Sequence, residues 1–402
     1  MVRHKKKNQD PKYTVVTIKG RFASGDGGYG FVIQEDQTAE DIFIPPPKTG
    51  VALHGDEVLC EVMQLKPASI TKSKGGRHPK AVIPPPMPQR KTGQVVEVLS
   101  REPLIGTYFT TGSDGYVRTM EARIPHIFRV HPKTISRLGL ADGHRVIFTV
   151  PKNKPPRTAS VTEVIGHIHD PGVDVLTLIH QYNVPHIFPC DALAQATTYT
   201  DEITQDDLEG RKDLRDQHII TIDGDDTKDI DDAISLTITE GGDYQLGVHI
   251  ADVSHYVKPQ SAIDKEAFSR GTSIYLADRV IPMLPHRLSS GLCSLFPNVD
   301  RLTVSCIMTV NKEGHVTAYD ITPSVINSRH RYTYHEVQAH LDSDNCPPLL
   351  NAMDKLREIL YKKRQARGAL DFNLPDVKVT VDKDGRPVAI EAYTRTKATN
   401  YN

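Results

Sequence analysis

The stretch Thr221–Asp232, with the sequence TIDGDDTKDIDD, decides how the second half of this chain is interpreted. Six of its twelve residues are aspartates, and Lys228 is its one basic residue. Carboxylates this close together repel one another unless a cation or a set of hydrogen bonds offsets their charge. Ile219 and Ile220 precede the stretch and the strand-like segment 233–236 follows it, so the aspartates belong to ordered structure. The pattern predicts a divalent-metal site, and hard oxygen ligands suit Mg²⁺ or Mn²⁺.

The spacing of the aspartates predicts how such ligands converge. A strand ending at Asp223 is followed by a turn at Gly224. The loop then returns Asp229 and Asp231 on one side, and Asp232 contributes from the entry to the next strand. Three or four converging carboxylates can hold one Mg²⁺, or two metal ions about 3.5–4 Å apart, and such sites activate water and stabilise charge on a phosphate. With a nucleic-acid-binding segment upstream, we expect phosphodiester hydrolysis.

Two other interpretations of the aspartates remain open. A calcium loop of the helix–loop–helix kind needs a glycine at position 6 and an acid at position 12. A frame starting at Asp223 has Lys228 at the glycine position. A frame starting at Asp229 has Ile234 there, although Glu240 falls at position 12. The second alternative is an acidic turn that binds no ligand.

The composition of the 402 residues fits a globular protein of two to four domains, with 38% hydrophobic and 25% charged residues. No stretch approaches the roughly 18 apolar residues of a membrane span. The basic N-terminal sequence MVRHKKKNQDPKY has no apolar region behind it, which argues against a secretory signal. The five cysteines are scattered and lack CxxC spacing, which argues against zinc. We therefore expect reduced thiols and a cytoplasmic protein.

The net charge of −1 conceals a difference between the two halves of the chain. Residues 1–190 carry 25 Lys and Arg against 17 Asp and Glu, a balance of +8. Residues 191–402 carry the remaining 24 against 33, a balance of −9. A basic front half can bind a polyanion and an acidic back half can hold metal, although most charged surface is merely solvated.

Turn and strand patterns divide the chain into five segments. Residues 1–14 are a basic tail. Short alternating strands with Gly and Pro turns in residues 15–63 predict a small β-barrel, and similar patterning in residues 93–171 predicts a second one. Between them, residues 64–92 contain seven Lys or Arg, six Pro and no acid, which indicates a basic linker. In residues 172–402 strands alternate with helical segments, which predicts an α+β domain.

Aromatic residues of the first barrel indicate a binding surface. Tyr29 and Phe31 alternate onto one face of a predicted strand, and Phe43 can join them from a neighbouring strand. Exposed rings flanked by basic residues form a stacking platform for single-stranded nucleic acid, worth about 1–3 kcal/mol per base. The alternative, that the three rings belong to the barrel core, remains open. The second barrel offers three further aromatics without a comparable arrangement: Tyr108, Phe109 and Tyr116.

Longer motifs make the chain resemble a known family. R-x-DLR followed by TIDG-x-D-x-x-D-x-DDA, which residues 211–233 match, is the hallmark of the ribonuclease II/ribonuclease R (RNB) family. The match continues downstream in GVHIADVSHYV (247–257), RGTSIYL (270–276), VIPMLPHRLSSGLCSLFPNVDRL (280–302), TYHEV (333–337) and RGALDF (367–372). Upstream, GYGFV and DIFIP resemble the two nucleic-acid-binding motifs of cold-shock domains. The resemblance implies a multidomain chain, with two OB-fold barrels of the cold-shock type followed by an α+β RNB nuclease domain.

The resemblance implies a processive, hydrolytic 3′-to-5′ exoribonuclease that uses Mg²⁺ (or Mn²⁺) and releases nucleoside 5′-monophosphates from single-stranded RNA. No membrane or small-molecule cofactor is implied, and no protein partner is identified. Four residues would be the catalytic and metal-binding aspartates, the third of them the least replaceable: Asp223, Asp229, Asp231 and Asp232. Six aromatics would contact RNA: Tyr275, Tyr334, Phe372, Tyr29, Phe31 and Phe43. Four further residues of the motifs are expected to be structural or at the surface: Asp225, Asp226, His249 and His255.

The sequence departs from the family after residue 396. There the family continues with a mostly helical half of the nuclease domain, which contacts the scissile phosphate, and with an RNA-binding barrel. We therefore expect an incomplete nuclease domain in a truncated chain, with RNA and metal binding retained and catalysis impaired. One charged donor to a phosphate contributes roughly 10²–10³ in rate. The alternative is a catalytically weak RNA-binding protein of cold-shock barrels on a partial nuclease scaffold.

Overall fold

The computed structural model describes five stretches of the chain: residues 13–36, 38–65, 91–124, 126–370 and 377–392. They fall into two compact units, Met1–Val184 and Pro185–Asn402. Most of the predicted basic tail and linker, together with Phe372, lie outside the described residues. In the described part, no helix is both long enough and apolar enough to cross a membrane.

Five strands, alternating between apolar and polar residues, form the first sheet. They are β1 (Tyr13–Ser24), β2 (Gly30–Ile33), β3 (Ile42–Ile44), β4 (Glu57–Leu65) and β5 (Gly93–Ser100). Neighbours in the order β3-β2-β1-β4-β5 are antiparallel, and a bridge between Phe43 and Thr92 joins the two edges. Inward side chains such as Val32, Ile42 and Val58 fill the interior. The sheet therefore wraps into the barrel that the alternation predicts.

A closed barrel follows, with strand order β10-β8-β7-β6-β9. Its elements are β6 (Leu104–Thr111), β7 (Asp114–Thr119), β8 (Ile127–Val130), α1 (Pro132–Leu138), β9 (His144–Thr149) and β10 (Thr158–His167). Helix α1 ends at Gly139, whose left-handed backbone (φ 60°) favours glycine. Tyr108, Phe128 and Phe148 fill the core. The sequence-based suggestion that Tyr108 binds bases is therefore wrong, because only 1% of this residue is exposed.

Two domain boundaries differ from the predicted ones. Strand β5 pairs with β4, so residues 93–100 complete the first barrel instead of opening the second. Helix α2 (Val173–Gln181) packs against β10 and β6, so it belongs to the first compact unit and not to the α+β domain. The residues of β5 would form a strand, and those of α2 a helix, in either domain. Contacts with residues distant in sequence decide which domain each segment joins.

A buried ion pair ties the two barrels together within the first unit. The guanidinium of Arg101, in the connection between the barrels, donates to both carboxylate oxygens of Asp56 at 2.6 and 2.8 Å. It also donates to the carbonyls of Val51 in the first barrel and Pro151 in the second. Only 4% of the Arg101 side chain and 1% of the Asp56 side chain are exposed. Several charge-assisted hydrogen bonds thus offset the cost of burying these charges.

The second unit is α+β, as predicted. Its strands are β11 (Lys212–Asp213), β12 (Ile219–Asp223), β13 (Asp232–Ile238), β14 (Tyr244–Ala251), β15 (Ile274–Tyr275), β16 (Val280–Ile281), β17 (Asp300–Val310), β18 (Val316–Thr333), β19 (Val377–Val381) and β20 (Pro387–Ala392). Its helices are α3 (Cys190–Thr197), α4 (Gln205–Leu208), α5 (Val253–Tyr256), α6 (Ala262–Arg270), α7 (Tyr334–Leu341) and α8 (Pro348–Ala366), with a π-helical turn at Leu288–Leu292. The main sheet has the order β11-β18-β12-β13-β14-β17.

Strand β18 is long enough to pair twice. Its first half is antiparallel to β17 and its second half is parallel to β12, so the sheet closes on itself. Strand β12 is buried on both faces: Ile219 packs in one core cluster, while Ile220 and Ile222 pack in another with residues of α8. A central strand buried in this way holds its last residue, Asp223, in a fixed place.

Candidate active site

Asp223 is the buried residue among the four predicted aspartates. It closes β12 and is 8% exposed, and its Oδ2 meets no hydrogen-bond partner among the described residues. Burial, followed by the negative charge of Asp232, raises the pKa of Asp223 to about 6. The positive charge of Arg331 acts in the opposite direction. A buried oxygen without a partner is costly, so this carboxylate is suited to a ligand.

The first part of the loop lies at the surface, as expected for Asp225 and Asp226. Asp225 is 3.3 Å from His335 and Asp226 is 3.9 Å from Lys378. The guanidinium of Arg331 anchors this turn, since its Nη2 donates to the carbonyls of Gly224 at 2.9 Å and Asp225 at 3.2 Å. No sequence motif predicted this role of Arg331, although the residue lies two positions before the TYHEV motif.

The second part of the loop presents the remaining aspartates. Ile230 is fully buried, which turns Asp229 and Asp231 away from the core on either side of it. The N–H of Ala251 donates to the carbonyl of Asp231 at 2.9 Å. Asp232 opens β13, and burial followed by the charge of Asp231 raises its pKa. All four predicted aspartates therefore belong to one neighbourhood, in which Asp223 is buried and Asp231 is exposed.

Tyr275 contributes a hydrogen bond that the sequence did not predict. Its phenol donates to Oδ2 of Asp229 at 2.5 Å, and this bond and burial together raise the pKa of Tyr275 to about 12. The residue is 65% exposed, so its ring remains available to a base. The two residues lie 46 positions apart, and a motif of seven letters gives no sign of the contact.

The four aspartates supply oxygen donors that suit Mg²⁺ or Mn²⁺, and the unpartnered oxygen of Asp223 fits a ligand of that kind. In the part of the chain that the structure describes, however, no three His, Cys, Asp or Glu side chains are grouped closely enough to hold a metal ion. Burial, followed by repulsion from neighbouring aspartates, raises the pKa values of Asp223 and Asp232, and a bound cation would offset that repulsion. The chemistry of the carboxylate donors therefore fits Mg²⁺ or Mn²⁺. That all four aspartates bind the metal stays a prediction.

Two other aromatics of the nuclease domain are predicted to contact RNA, and the structure describes one of them. Tyr334 is the first residue of α7 and is half-buried against the core cluster beneath α8. Phe372 lies outside the described residues. The RNA contacts of both stay predictions.

The two motif histidines make structural contacts, as expected. His249 is fully buried between the hydroxyls of Ser235 and Ser305, at 3.0 and 2.7 Å. His255 lies 3.1 Å from a carboxylate oxygen of Asp207. Within the described residues, neither imidazole is hydrogen-bonded to any of the four aspartates.

The first barrel brings its three predicted aromatics together. Phe31 and Phe43 are direct partners across β2 and β3, and Tyr29 immediately precedes β2. The centroids of the three rings are 5.7–5.8 Å apart, and all three residues are half-buried. They form a continuous patch, which we call the aromatic platform, outside the residues of the barrel core. In the second barrel, Phe109 and Tyr116 stack with centroids 5.8 Å apart.

Family profiles match three parts of the chain. The RNB domain matches residues 211–400, the Ribonuclease B OB domain matches residues 20–83, and the Cold shock domain matches residues 116–189. The order of these matches is the order that the sequence motifs predict.

Curated relatives are similar over nearly the whole chain. Ribonuclease R of Thermotoga maritima is 38% identical, over 96% of this chain and 52% of that protein. Ribonuclease R of Acidithiobacillus ferrooxidans is 34% identical, over 88% of this chain and 79% of that protein. The chain spans about half the length of most of the curated relatives it matches, as with the 47% and 52% covered in two of them.

Solved structures agree with this similarity. The apo form of Mycoplasma genitalium RNase R superposes with a TM-score of 0.79 at 25% identity, over 96% of this chain and 59% of that one. The same protein has been solved with double-stranded RNA, with a TM-score of 0.70 at 28% identity, over 76% of this chain and 56% of that one. It has also been solved with ribose-methylated single-stranded RNA, at 24% identity. The predicted order of barrels and α+β domain is thereby confirmed.

Proposed function

The chain belongs to the RNB family and is a homologue of the ribonuclease R exoribonucleases, and from this premise we propose that it hydrolyses RNA processively from the 3′ end. The products would be nucleoside 5′-monophosphates and the substrate single-stranded RNA. Nucleases of the RNB family are in general Mg²⁺-dependent, and we propose Mg²⁺, or Mn²⁺ in its place, as the metal of this chain.

The observation that carries the proposal is the gathering of Asp223, Asp229, Asp231 and Asp232 around the ends of β12 and β13. A divalent ion bound there would supply an activated water and stabilise charge on the attacked phosphate. The residues of the chain have separate tasks. Asp223 offers a buried oxygen that makes no protein hydrogen bond in the described structure. Asp231 reaches into solvent, where a phosphodiester can approach it.

The aromatic platform supports RNA binding by the first barrel. Stacking needs only the face of a base, so the platform accepts single strands of any sequence. Tyr275 keeps most of its surface exposed while it bonds to Asp229, which supports a second stacking place beside the carboxylates. We include Tyr334 and Phe372 as RNA contacts on the family resemblance alone.

The second candidate function is RNA binding with weak or no hydrolysis. It is favoured by the observation that no three carboxylates of the described residues are grouped closely enough to hold a metal ion. The barrels and the platform would serve such a protein equally well. The two candidates make opposite predictions for a change at Asp231.

The test compares Asp231→Asn with Asp226→Asn. Asp226 is a matched control in the same loop, 93% exposed and paired only loosely with Lys378. With 3′-labelled and 5′-labelled single-stranded RNA in Mg²⁺, we expect the wild type and Asp226→Asn to release the 3′ label as a mononucleotide and to shorten the 5′-labelled strand. Asp231→Asn should lose at least about 10³-fold in rate and bind RNA as tightly or more tightly, because one negative charge near the phosphates is gone.

Equal inactivity of the wild type and Asp231→Asn, with RNA binding intact, would establish the binding protein instead. Equal activity of all three would refute the assignment of the aspartates. A cytoplasmic location belongs to the proposal and is supported by the five cysteines, all of which have free thiols in the structure.

A further inference from the structure

Two consecutive buried residues hold the aspartate loop from behind. The hydroxyl of Ser294 donates to the carbonyl of Lys228 at 2.9 Å and accepts the N–H of Ile230 at 3.1 Å. The N–H of Leu295 donates to the carbonyl of Ile230 at 2.8 Å. Ser294, Leu295 and Ile230 are all 0% exposed. Two of these bonds join fully buried residues, and the three together hold the backbone on both sides of Asp229.

These contacts decide which way the loop faces. The segment from Gly224 to Asp231 lies outside the strands, so no ladder of hydrogen bonds sets its register. In an extended segment, successive side chains point to opposite sides. Fixing Ile230 inward thus fixes Asp229 and Asp231 outward. Without these bonds, mutual repulsion would drive the carboxylates apart, because nothing in their own sequence holds them together.

We propose that Ser294 is a positioning residue of the aspartate site. Its hydroxyl sets the place of Asp229 and Asp231 through the backbone of Lys228 and Ile230. The part of this proposal that concerns metal binding rests on the proposed function. The part that concerns the loop rests on the hydrogen bonds alone.

The segment that delivers Ser294 supports this role. It follows the π-helical turn Leu288–Leu292, and the N–H of Ser294 donates to the carbonyl of Gly291 at 3.1 Å. Single π-helical turns are rare and are found frequently at functional sites. The same turn contains Ser289, whose hydroxyl is also buried but meets no partner among the described residues. One segment thus offers two buried hydroxyls, of which Ser294 alone is bonded to the loop.

The experiment compares Ser294→Ala with Ser289→Ala in the full chain. Each change removes one buried hydroxyl from the same segment. The first measurement is site-resolved hydrogen exchange of the Ile230 amide, well below the melting temperature of every variant. We expect the Ile230 amide to exchange at least about tenfold faster in Ser294→Ala and to be unchanged in Ser289→Ala.

The second measurement is Mn²⁺ affinity, followed by the electron paramagnetic resonance signal of the free ion. Loss of a residue that orients metal ligands lowers metal affinity roughly 10- to 100-fold, so we expect a loss of that size in Ser294→Ala. Ser289→Ala should stay within about twofold of the wild type. A general loosening of the fold would lower both affinities together and would refute the specific role of Ser294.

The two measurements separate the possible failures. Unchanged exchange of Ile230 in Ser294→Ala would overturn the positioning role whatever the metal data show. Faster exchange with unchanged Mn²⁺ affinity would overturn the link between loop and metal. Absence of Mn²⁺ binding in the wild type would refute the proposed function, while the exchange data would still decide the role of Ser294 in the loop.

Discussion

The aromatic platform of the first barrel and the aspartate site of the second unit are built in different ways. Tyr29, Phe31 and Phe43 lie within fifteen residues of one another and meet because β2 and β3 are adjacent antiparallel strands. The aspartate loop is held by Tyr275, Ser294 and Arg331, which follow it by 46 to 107 residues. The pairing of two adjacent strands brings the rings of the aromatic platform together. The aspartate site instead depends on contacts between residues that are far apart in sequence.

The physical cause of this difference is the nature of the side chains. Apolar rings attract one another and cover part of a barrel surface, so strand pairing suffices to bring them together. Carboxylates repel one another, so a surrounding frame has to hold them close. Damage to that frame should therefore reduce stability as well as function. Damage to the platform should reduce binding and leave the fold intact.

The largest expected effect concerns Arg331. Arg331→Met removes both hydrogen bonds to the turn at Gly224 and Asp225, together with the positive charge that favours ionised Asp223. We expect the free energy of unfolding to fall by about 4 kcal/mol, because the half-buried carbonyl of Gly224 loses a hydrogen bond and the buried carboxylate of Asp223 loses an opposing charge. Urea unfolding followed by circular dichroism measures this loss.

The matched control for Arg331 is Arg329→Met, two residues earlier on the same strand. Arg329 is exposed and donates to the carbonyl of Arg215. We expect Arg329→Met to lower the free energy of unfolding by less than about 1 kcal/mol. Equal losses in the two variants would show that the turn does not depend on Arg331.

The second effect concerns His249, which lies in the same sheet as the aspartates. Burial lowers the pKa of His249 to about 4 from its ordinary 6.5. The unfolded chain takes up this proton near pH 6.5 and the folded protein only near pH 4. The stability from the neutral imidazole is therefore complete above pH 6.5 and is lost as the pH falls towards 4, a change of about 3 kcal/mol.

His249→Gln removes this pH dependence. We expect the stability difference between wild type and variant to shrink by about 3 kcal/mol between pH 7.5 and pH 4. The exposed His218→Gln serves as the control for loss of an imidazole at the surface. Urea unfolding at a series of pH values gives both differences, and a constant difference for His249→Gln would contradict the buried neutral imidazole.

The third effect tests the platform. Phe43→Ala removes one of the three rings, and we expect RNA affinity to fall by about 2 kcal/mol, roughly thirtyfold in Kd. The salt dependence of binding should stay the same, because no phosphate contact is lost. Fluorescence anisotropy with labelled single-stranded RNA at several salt concentrations measures both quantities.

Two results would count against the platform. One is a large loss of barrel stability in Phe43→Ala, which would make the ring part of the core. The other is an equal loss of affinity in Tyr116→Ala of the second barrel, which would show that stacking is not concentrated on the platform. Tyr116 stacks on Phe109 and provides a ring of similar size.

The smallest effect separates two roles of Tyr275. Tyr275→Phe keeps the ring and removes the hydrogen bond to Asp229. We expect RNA affinity within twofold of the wild type and a loss of about 1 kcal/mol, roughly fivefold, in the hydrolysis rate. Tyr275→Ala should reduce both quantities. Full activity of Tyr275→Phe would mean that the residue serves by stacking alone.

Much of the fold followed from the sequence because the signals are local. Alternation of apolar and polar residues gave both barrels, and the change to helical spacing gave the α+β unit. Two boundaries were wrong, since β5 joins the first barrel and α2 joins the first unit through contacts that their own residues do not specify. Tyr108 was one of three weaker stacking candidates in the second barrel, yet it fills the core, because a ring in a strand suits either face.

The sequence by itself determined the ingredients of this protein: the charges of the aspartate run, the alternation that sends Asp229 and Asp231 to one side, and the rings of the platform. Only the tertiary structure decided that Asp223 is buried without a partner, that Tyr275 bonds to Asp229, and that Ser294 holds the loop in place. The physical reason is that residue type and periodicity act over a few positions. The balance of repulsion in a cluster of carboxylates depends on groups that the folded chain brings from far away.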